Sequence, residues 1–122
     1  MGPGPSNPYP TVMEAFARPV LGHLDPEFIS LLDETNDRLR EVWQTKNALT
    51  FPISATGSAG METSFVNFIN PGDEVVVGVN GVFGNRMCDV ATRAGAIVTK
   101  VEEDWGRAID PERLLAAHPN PK

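Results

Sequence analysis

Phe51-Pro52-Ile53-Ser54-Ala55-Thr56-Gly57-Ser58-Ala59-Gly60-Met61-Glu62 is the stretch around which the chain is organised. An apolar, strand-like run breaks into small residues, and a helical pattern follows at once. Met61, Phe65, Val66, Phe68 and Ile69 recur at close to helical spacing. Strand, small-residue turn and helix start suit the holding of an anion. Free N–H groups at a helix N-terminus point outward, and the helix dipole adds partial positive charge. Thr56 and Ser58 add hydroxyls, and Gly57 lets a ligand approach the backbone. The same residues also fit a plain βα turn in which Thr56 or Ser58 caps the helix.

Downstream, Pro71-Gly72-Asp73 reads as a turn, and Glu74 to Val79 as a β-branched strand of the buried, parallel kind. Asn80-Gly81 leads into a helix over about Phe83 to Ala94, with Gly95 where a left-handed cap belongs. Ala96 to Val101 is the next strand. Asp110-Pro111-Glu112 starts a further helix, which Pro119 and Pro121 stop.

Upstream, Leu49 to Ile53 is the first strand candidate. Before it, Asp25-Pro26-Glu27 is a helix start: an N-cap, a proline at the first helical position and an acid in the first turn. Phe28, Leu31, Leu32, Thr35, Leu39, Val42 and Trp43 recur at three- and four-residue steps. They predict a helix of about six turns towards Lys46, by the rise per residue. The charges from Asp33 to Glu41 form a solvated face, and Trp43 belongs to a core or an interface. Thr11 to Ala17 forms a short helix ended before Pro19. Gly2 to Pro10, with prolines at near-alternate positions, is an extended arm.

The order is therefore an arm (1–24), a long helix, then β-α-β-α-β-α. Alternation of this kind predicts an α/β fold with a small parallel sheet. The three strands would leave open edges.

Composition narrows the function. A chain of 122 residues with 41% hydrophobic content builds one modest core. The net charge of −6 argues against a sequence-independent nucleic-acid binder. One cysteine, Cys88, excludes an internal disulfide and a cysteine-based zinc cluster. His23 and His118 lack carboxylates at ligand spacing, so no metal site is expected. No apolar run approaches the roughly twenty residues that span a bilayer, and no signal peptide is visible. A reducing, cytoplasmic compartment is the default.

The loop lacks the spacing of a dinucleotide fingerprint. Its glycines are Gly57 and Gly60, and those of the second loop are Gly78, Gly81 and Gly84. No nucleoside-triphosphate loop occurs either. One small phosphate on one helix N-terminus remains. Asn80-Gly81-Val82-Phe83-Gly84 lies at the C-terminal end of a strand, the edge where ligands bind in parallel sheets. Phe83 there either stacks on a planar ring or plugs the turn. Arg86 either reaches an anion or pairs at the surface.

Several segments in order resemble the N-terminal part of class V aminotransferases, and within them the serine–glyoxylate and alanine–glyoxylate enzymes. They are Gly2 to Asn7, Gly22 to Phe28, Gln44-Thr45-Lys46-Asn47, Ser54 to Glu62, Pro71-Gly72-Asp73 and Asn80 to Gly84. The resemblance covers essentially the whole chain. It implies a pyridoxal-phosphate enzyme of the aspartate-aminotransferase fold, with residues 25–122 forming the N-terminal part of the large cofactor-binding domain. It further implies a homodimer with the active site between subunits, and amino-acid and 2-oxo-acid substrates. Thr56, Gly57 and Ser58 match the loop that holds the cofactor phosphate. Phe83 matches the aromatic position that stacks on the cofactor ring, which disfavours the related cysteine desulfurases, where histidine is usual.

Such enzymes need a lysine to hold the cofactor and move the substrate proton. The lysines here are Lys46, Lys100 and Lys122, and none matches that position. No catalytic residue is assigned, and the chain resembles roughly the first third of such an enzyme. Two functions follow as expectations. One is the N-terminal part of a transaminase that moves an amino group from serine or alanine to glyoxylate or pyruvate. The other is a non-catalytic fragment or assembly module that keeps the phosphate loop.

Overall fold

The computed structural model describes residues 4–117. The expected stop at Pro119 and Pro121, His118, Lys122 and the first residues of the arm lie outside them. The chain forms two compact units, Met1–Pro52 and Ile53–Lys122.

The first unit is helical. α1 (Pro10–Phe16) starts with Pro10 in the position that needs no N–H donor. α2 (Pro26–Trp43) runs 18 residues, about five turns. Asp25 caps it, its Oδ1 accepting from the Glu27 N–H at 2.9 Å. It ends one turn before Lys46 because Gln44 turns left-handed, and the Gln44 and Thr45 N–H groups close back onto the last turn. The Arg40 guanidinium then donates to the Asn47 and Ala48 carbonyls, at 3.1 and 2.7 Å, and fixes the exit of the chain.

The charged face of α2 is solvated as expected. Glu34 and Arg38 pair across one turn while both stay largely exposed, a contact worth only about 0.3–0.5 kcal/mol. The apolar face is a correction. α1 and α2 do not pack on each other, and α2 has no buried residue. Trp43 is 74% exposed, so it is not part of a core within this unit.

The strand expected over Leu49–Ile53 does not form. The segment is irregular and pairs with no other strand among the described residues, and Leu49 is 83% exposed. Thr50 turns back on Asn47 and Ala48 instead, and Pro52 has no N–H to give a ladder. The sheet therefore has two strands rather than three.

The second unit holds that sheet. Its elements are α3 (Gly57–Phe68), β1 (Glu74–Val79), α4 (Val82–Arg93), β2 (Ile97–Glu102) and α5 (Pro111–Ala117). β1 and β2 are parallel, in register from Glu74 opposite Ile97 to Val79 opposite Glu102. The connection through α4 is the helix-length crossover that parallel strands require. α4 rests on both strands, and Val77, Val79 and Cys88 form the core with Val75, Met87 and Val98 around them. Ala91, on the same helix, is fully buried.

Two close approaches set this packing. A Cβ at Gly84 would lie 2.8 Å from the Val79 Cα and 3.0 Å from the Gly78 carbonyl, so only glycine lets α4 sit this near β1. Gly95 has φ +93°, as its place after α4 predicts, and a Cβ there would lie 2.9 Å from the Pro71 Cα. Its carbonyl accepts from the Gly72 N–H at 2.8 Å, and the Asp73 carbonyl accepts from the Ile97 N–H at 2.8 Å. The turns that lead into the two strands are thus joined. α5 opens on Asp110, whose Oδ1 accepts from the Glu112 N–H at 2.9 Å.

Candidate functional site

At Ser54 and Ala55 the chain bends, and the Ala55 N–H donates to the Ile53 carbonyl at 2.8 Å. Thr56 follows as the N-cap residue of α3, with extended backbone. Its side chain makes no capping hydrogen bond. The Thr56 carbonyl takes the Ala59 and Gly60 N–H groups, at 3.0 and 3.1 Å. Among the described residues, the Gly57 and Ser58 N–H groups and the Thr56 and Ser58 hydroxyls have no acceptor or donor. Of the two readings of this turn, the side-chain cap is the one the geometry lacks.

Thr56 and Ser58 open onto a cleft of about 530 Å³ between α3 and α4. From α3 come Ala59, Met61 and Glu62, and from α4 come Arg86, Asp89, Val90 and Arg93. Arg93 is occupied: its Nε lies 3.1 Å from the Asp89 carboxylate one turn earlier. The Arg86 side chain has no ion pair or hydrogen bond among the described residues. The cleft therefore offers one free guanidinium, two free N–H groups on a helix N-terminus and two hydroxyls. That donor set suits a phosphate or carboxylate. Glu62, one turn into α3, restricts the anion to the Thr56–Ser58 end.

Gly57 occupies the first helical position. Its φ is not positive, and a Cβ there would meet nothing within 4 Å. The turn does not require glycine, so its use is confined to leaving the approach to the N–H groups open. Phe83 stands in the first turn of α4, 58% exposed, and does not line this cleft. The structure thus brings Thr56 and Ser58 together with Arg86 and leaves Phe83 apart from them. No lysine lines the cleft.

Sequence reasoning missed Glu62, Asp89 and Arg93. The last two stand four residues apart on α4, a spacing that signals their ion pair, whereas only the packing of α3 on α4 brings Glu62 beside them. A second depression of about 370 Å³ lies over the C-terminal end of the sheet. Glu102, Glu103 and Asp104 line it, and its Arg113 is held by Glu103 at 2.5 Å, so it does not suit an anion.

The fold is that of a segment of the aminotransferases on which the chain superposes. No family model matches the chain. Over 96% of its length it is 44% identical to an alanine–glyoxylate aminotransferase of Drosophila melanogaster. The crystal structure of an alanine–glyoxylate aminotransferase from Nostoc sp. superposes on 95% of the chain with a TM-score of 0.88 and 48% identity. The ureidoglycine–glyoxylate aminotransferase of Bacillus subtilis superposes on 95% with a TM-score of 0.87 and 39% identity. The homologues of this chain are thus alanine–glyoxylate and related transaminases of the class V fold, whose cofactor is pyridoxal phosphate. The chain spans 30% of the Drosophila relative and 31% of the Nostoc one. Among the described residues no helix is long and apolar enough to cross a membrane.

Proposed function

We propose that this chain is the phosphate-holding part of a pyridoxal-phosphate-dependent aminotransferase that moves an amino group from serine or alanine to glyoxylate or pyruvate. The observation that carries the reading is the free donor set of Thr56, Gly57 and Ser58 beside the unpaired Arg86. The named relatives support the acceptor: all three carry glyoxylate in their names, two with alanine and one with ureidoglycine as the amino donor.

Residues 25–122 then belong to the large cofactor-binding domain, with 1–24 as the arm. The α3 N-terminus takes the cofactor phosphate through the Gly57 and Ser58 N–H groups, and the Thr56 and Ser58 hydroxyls fix its rotation. Arg86 balances its charge. Phe83 offers an open ring face at the edge where parallel sheets bind ligands, which suits stacking. Pyridoxal phosphate, when bound, supplies the amino carrier and the electron-withdrawing ring. The residues described here anchor and orient it. On this reading the segment binds the cofactor, and none of Lys46, Lys100 and Lys122 is assigned the catalytic role. A homodimer is part of the same reading, supported by the uncovered apolar residues of α2, Leu31 and Trp43 among them. The free, buried thiol of Cys88 suits a reducing, cytoplasmic compartment.

Amide shift mapping of the labelled chain during titration with inorganic phosphate, then with pyridoxal phosphate, tests the site. Shifts centred on Thr56 to Ala59 that weaken in Arg86→Ala are expected. Shifts elsewhere, with Arg86→Ala neutral, would return this turn to a plain helix start.

A further inference from the structure

Asn80-Gly81, which turns the chain out of β1, is the one Asn-Gly step in the sequence. Asn80 is exposed. Its Nδ2 donates to the Arg107 carbonyl at 2.7 Å, so this side chain ties the segment after β1 to the segment after β2. Gly81 is extended, with φ 168° and ψ −171°. Its N–H donates to no acceptor among the described residues. A Cβ at Gly81 would meet nothing within 4 Å, and any residue adopts this φ. The fold therefore does not require glycine here. What the glycine provides is access: no side chain screens its nitrogen from the Asn80 Cγ, and no hydrogen bond occupies its proton.

The other described asparagines lack this combination. Asn36, Asn67 and Asn85 lie within helices, where the following N–H belongs to the helical ladder. Asn7 and Asn70 precede prolines, whose nitrogen carries no proton. Asn47 precedes Ala48, which has a Cβ, and its carbonyl is held by Arg40 and Thr50.

We propose that Asn80 is a spontaneous deamidation site, at which the Gly81 nitrogen closes on the side-chain amide and so cuts the tie to Arg107. The Gly81 N–H gives up its proton, and its nitrogen bonds to the Asn80 Cγ. The Cγ–Nδ2 bond breaks, and Nδ2 leaves as ammonia with that proton. Solvent water then opens the five-membered imide. Attack at Cγ gives aspartate. Attack at the main-chain carbonyl gives isoaspartate, in which the chain runs through Cβ and Cγ. Nothing is oxidised or reduced.

Either product loses the amide donor. A carboxylate only accepts, so it has nothing to give the Arg107 carbonyl, and two oxygens at the present 2.7 Å repel. The new charge also joins Glu102, Glu103 and Asp104 at the same end of the sheet. Isoaspartate adds one atom to the backbone just ahead of α4. That connection has little slack, since Gly84 already lies against Val79 with no room for a Cβ. The site rests on Asn80 and Gly81 and is independent of the anion cleft.

The test ages the full chain in mildly alkaline buffer and maps its peptides by mass spectrometry, with fragmentation that separates aspartate from isoaspartate. Conversion at Asn80 should outrun that at Asn47 by more than an order of magnitude and give both products. Gly81→Ala should cut it to the Asn47 rate. Equal conversion at Asn80 and Asn47, or equal conversion of Asn80 with and without Gly81→Ala, overturns the site. If Gly81→Ala fails to fold, the comparison with Asn47 decides alone. Asn80→Asp carries the direct product in every molecule. Its Arg107 N–H, bonded to the Asp104 carbonyl at 3.1 Å, should exchange faster than in the parent chain, as should that of the aged chain. Unchanged exchange at Arg107 overturns the loss of the tie.

Discussion

Gly60 and Gly84 both lie inside helices, and alanine should act on them with opposite sign. At Gly60, in α3, an added Cβ meets nothing within 4 Å, so only helix propensity counts and the gain is up to about 1 kcal/mol. At Gly84, in α4, the same atom lies 2.8 Å from the Val79 Cα and 3.0 Å from the Gly78 carbonyl. Ordinary contact begins at 3.4 Å, so the helix must retreat by several tenths of an ångström from strand backbone that cannot rotate away. Overpacking of this kind costs about 1–3 kcal/mol. The propensity gain offsets about 1 kcal/mol, which leaves a net loss of about 1–2 kcal/mol. Urea unfolding followed by far-ultraviolet circular dichroism should show Gly60→Ala shifted to higher and Gly84→Ala to lower midpoints. α4 carries Arg86, so Gly84→Ala should also weaken phosphate binding. Equal gains at the two positions would refute the close packing of α4 on β1.

Three other outcomes are expected. Ser58→Ala should weaken phosphate binding by about 0.5–1.5 kcal/mol, the worth of one neutral hydrogen bond, and Arg86→Ala by about 1.5–3 kcal/mol, since it removes a charged donor; calorimetric titration measures both. Asp25→Ala should destabilise α2 by about 1 kcal/mol through loss of the bond to the Glu27 N–H, visible as reduced helicity on heating. Borohydride reduction of the chain with pyridoxal phosphate, then peptide mapping, should give no single stoichiometric labelled lysine, because no lysine lines the cleft; one dominant site would overturn this.

What the sequence revealed was what depends on near neighbours. Asp25-Pro26-Glu27 is a complete helix start, and α2 begins there. Glu74–Val79 is a strand at its expected bounds, because β-branched residues between two turns leave the backbone little else to do. Gly95 is left-handed where α4 ends. Leu49–Ile53 has the same local character as β1, yet a strand is a property of two segments, and the described residues supply no partner. Trp43 fails similarly: amphipathic spacing says that a face wants cover, not whether the cover is present. The helix start at Thr56 to Ser58 was legible from the small residues of the turn itself. The Asp89–Arg93 pair is an i, i+4 spacing within α4, but that Arg86 faces Thr56 and Ser58 was not legible, since it follows from α3 lying on α4.

The joined turns at the start of the strands bear on how such a chain diverges. Gly72 is tied to the Gly95 carbonyl and Asp73 to Ile97, with Pro71 filling the space a Cβ at Gly95 would need. An inserted residue in either turn displaces both strands, and a one-residue slip turns every side chain of a strand to the wrong face. At the opposite end, the segments after β1 and β2 are crosslinked by the Asn80 side chain to the Arg107 carbonyl at 2.7 Å. That tie is one side chain rather than a run of backbone bonds, so variation in loop length should collect at that end and be purged at the other. The strand alignment stays fixed while the loops drift, and an insertion scan across both ends would record that polarity directly.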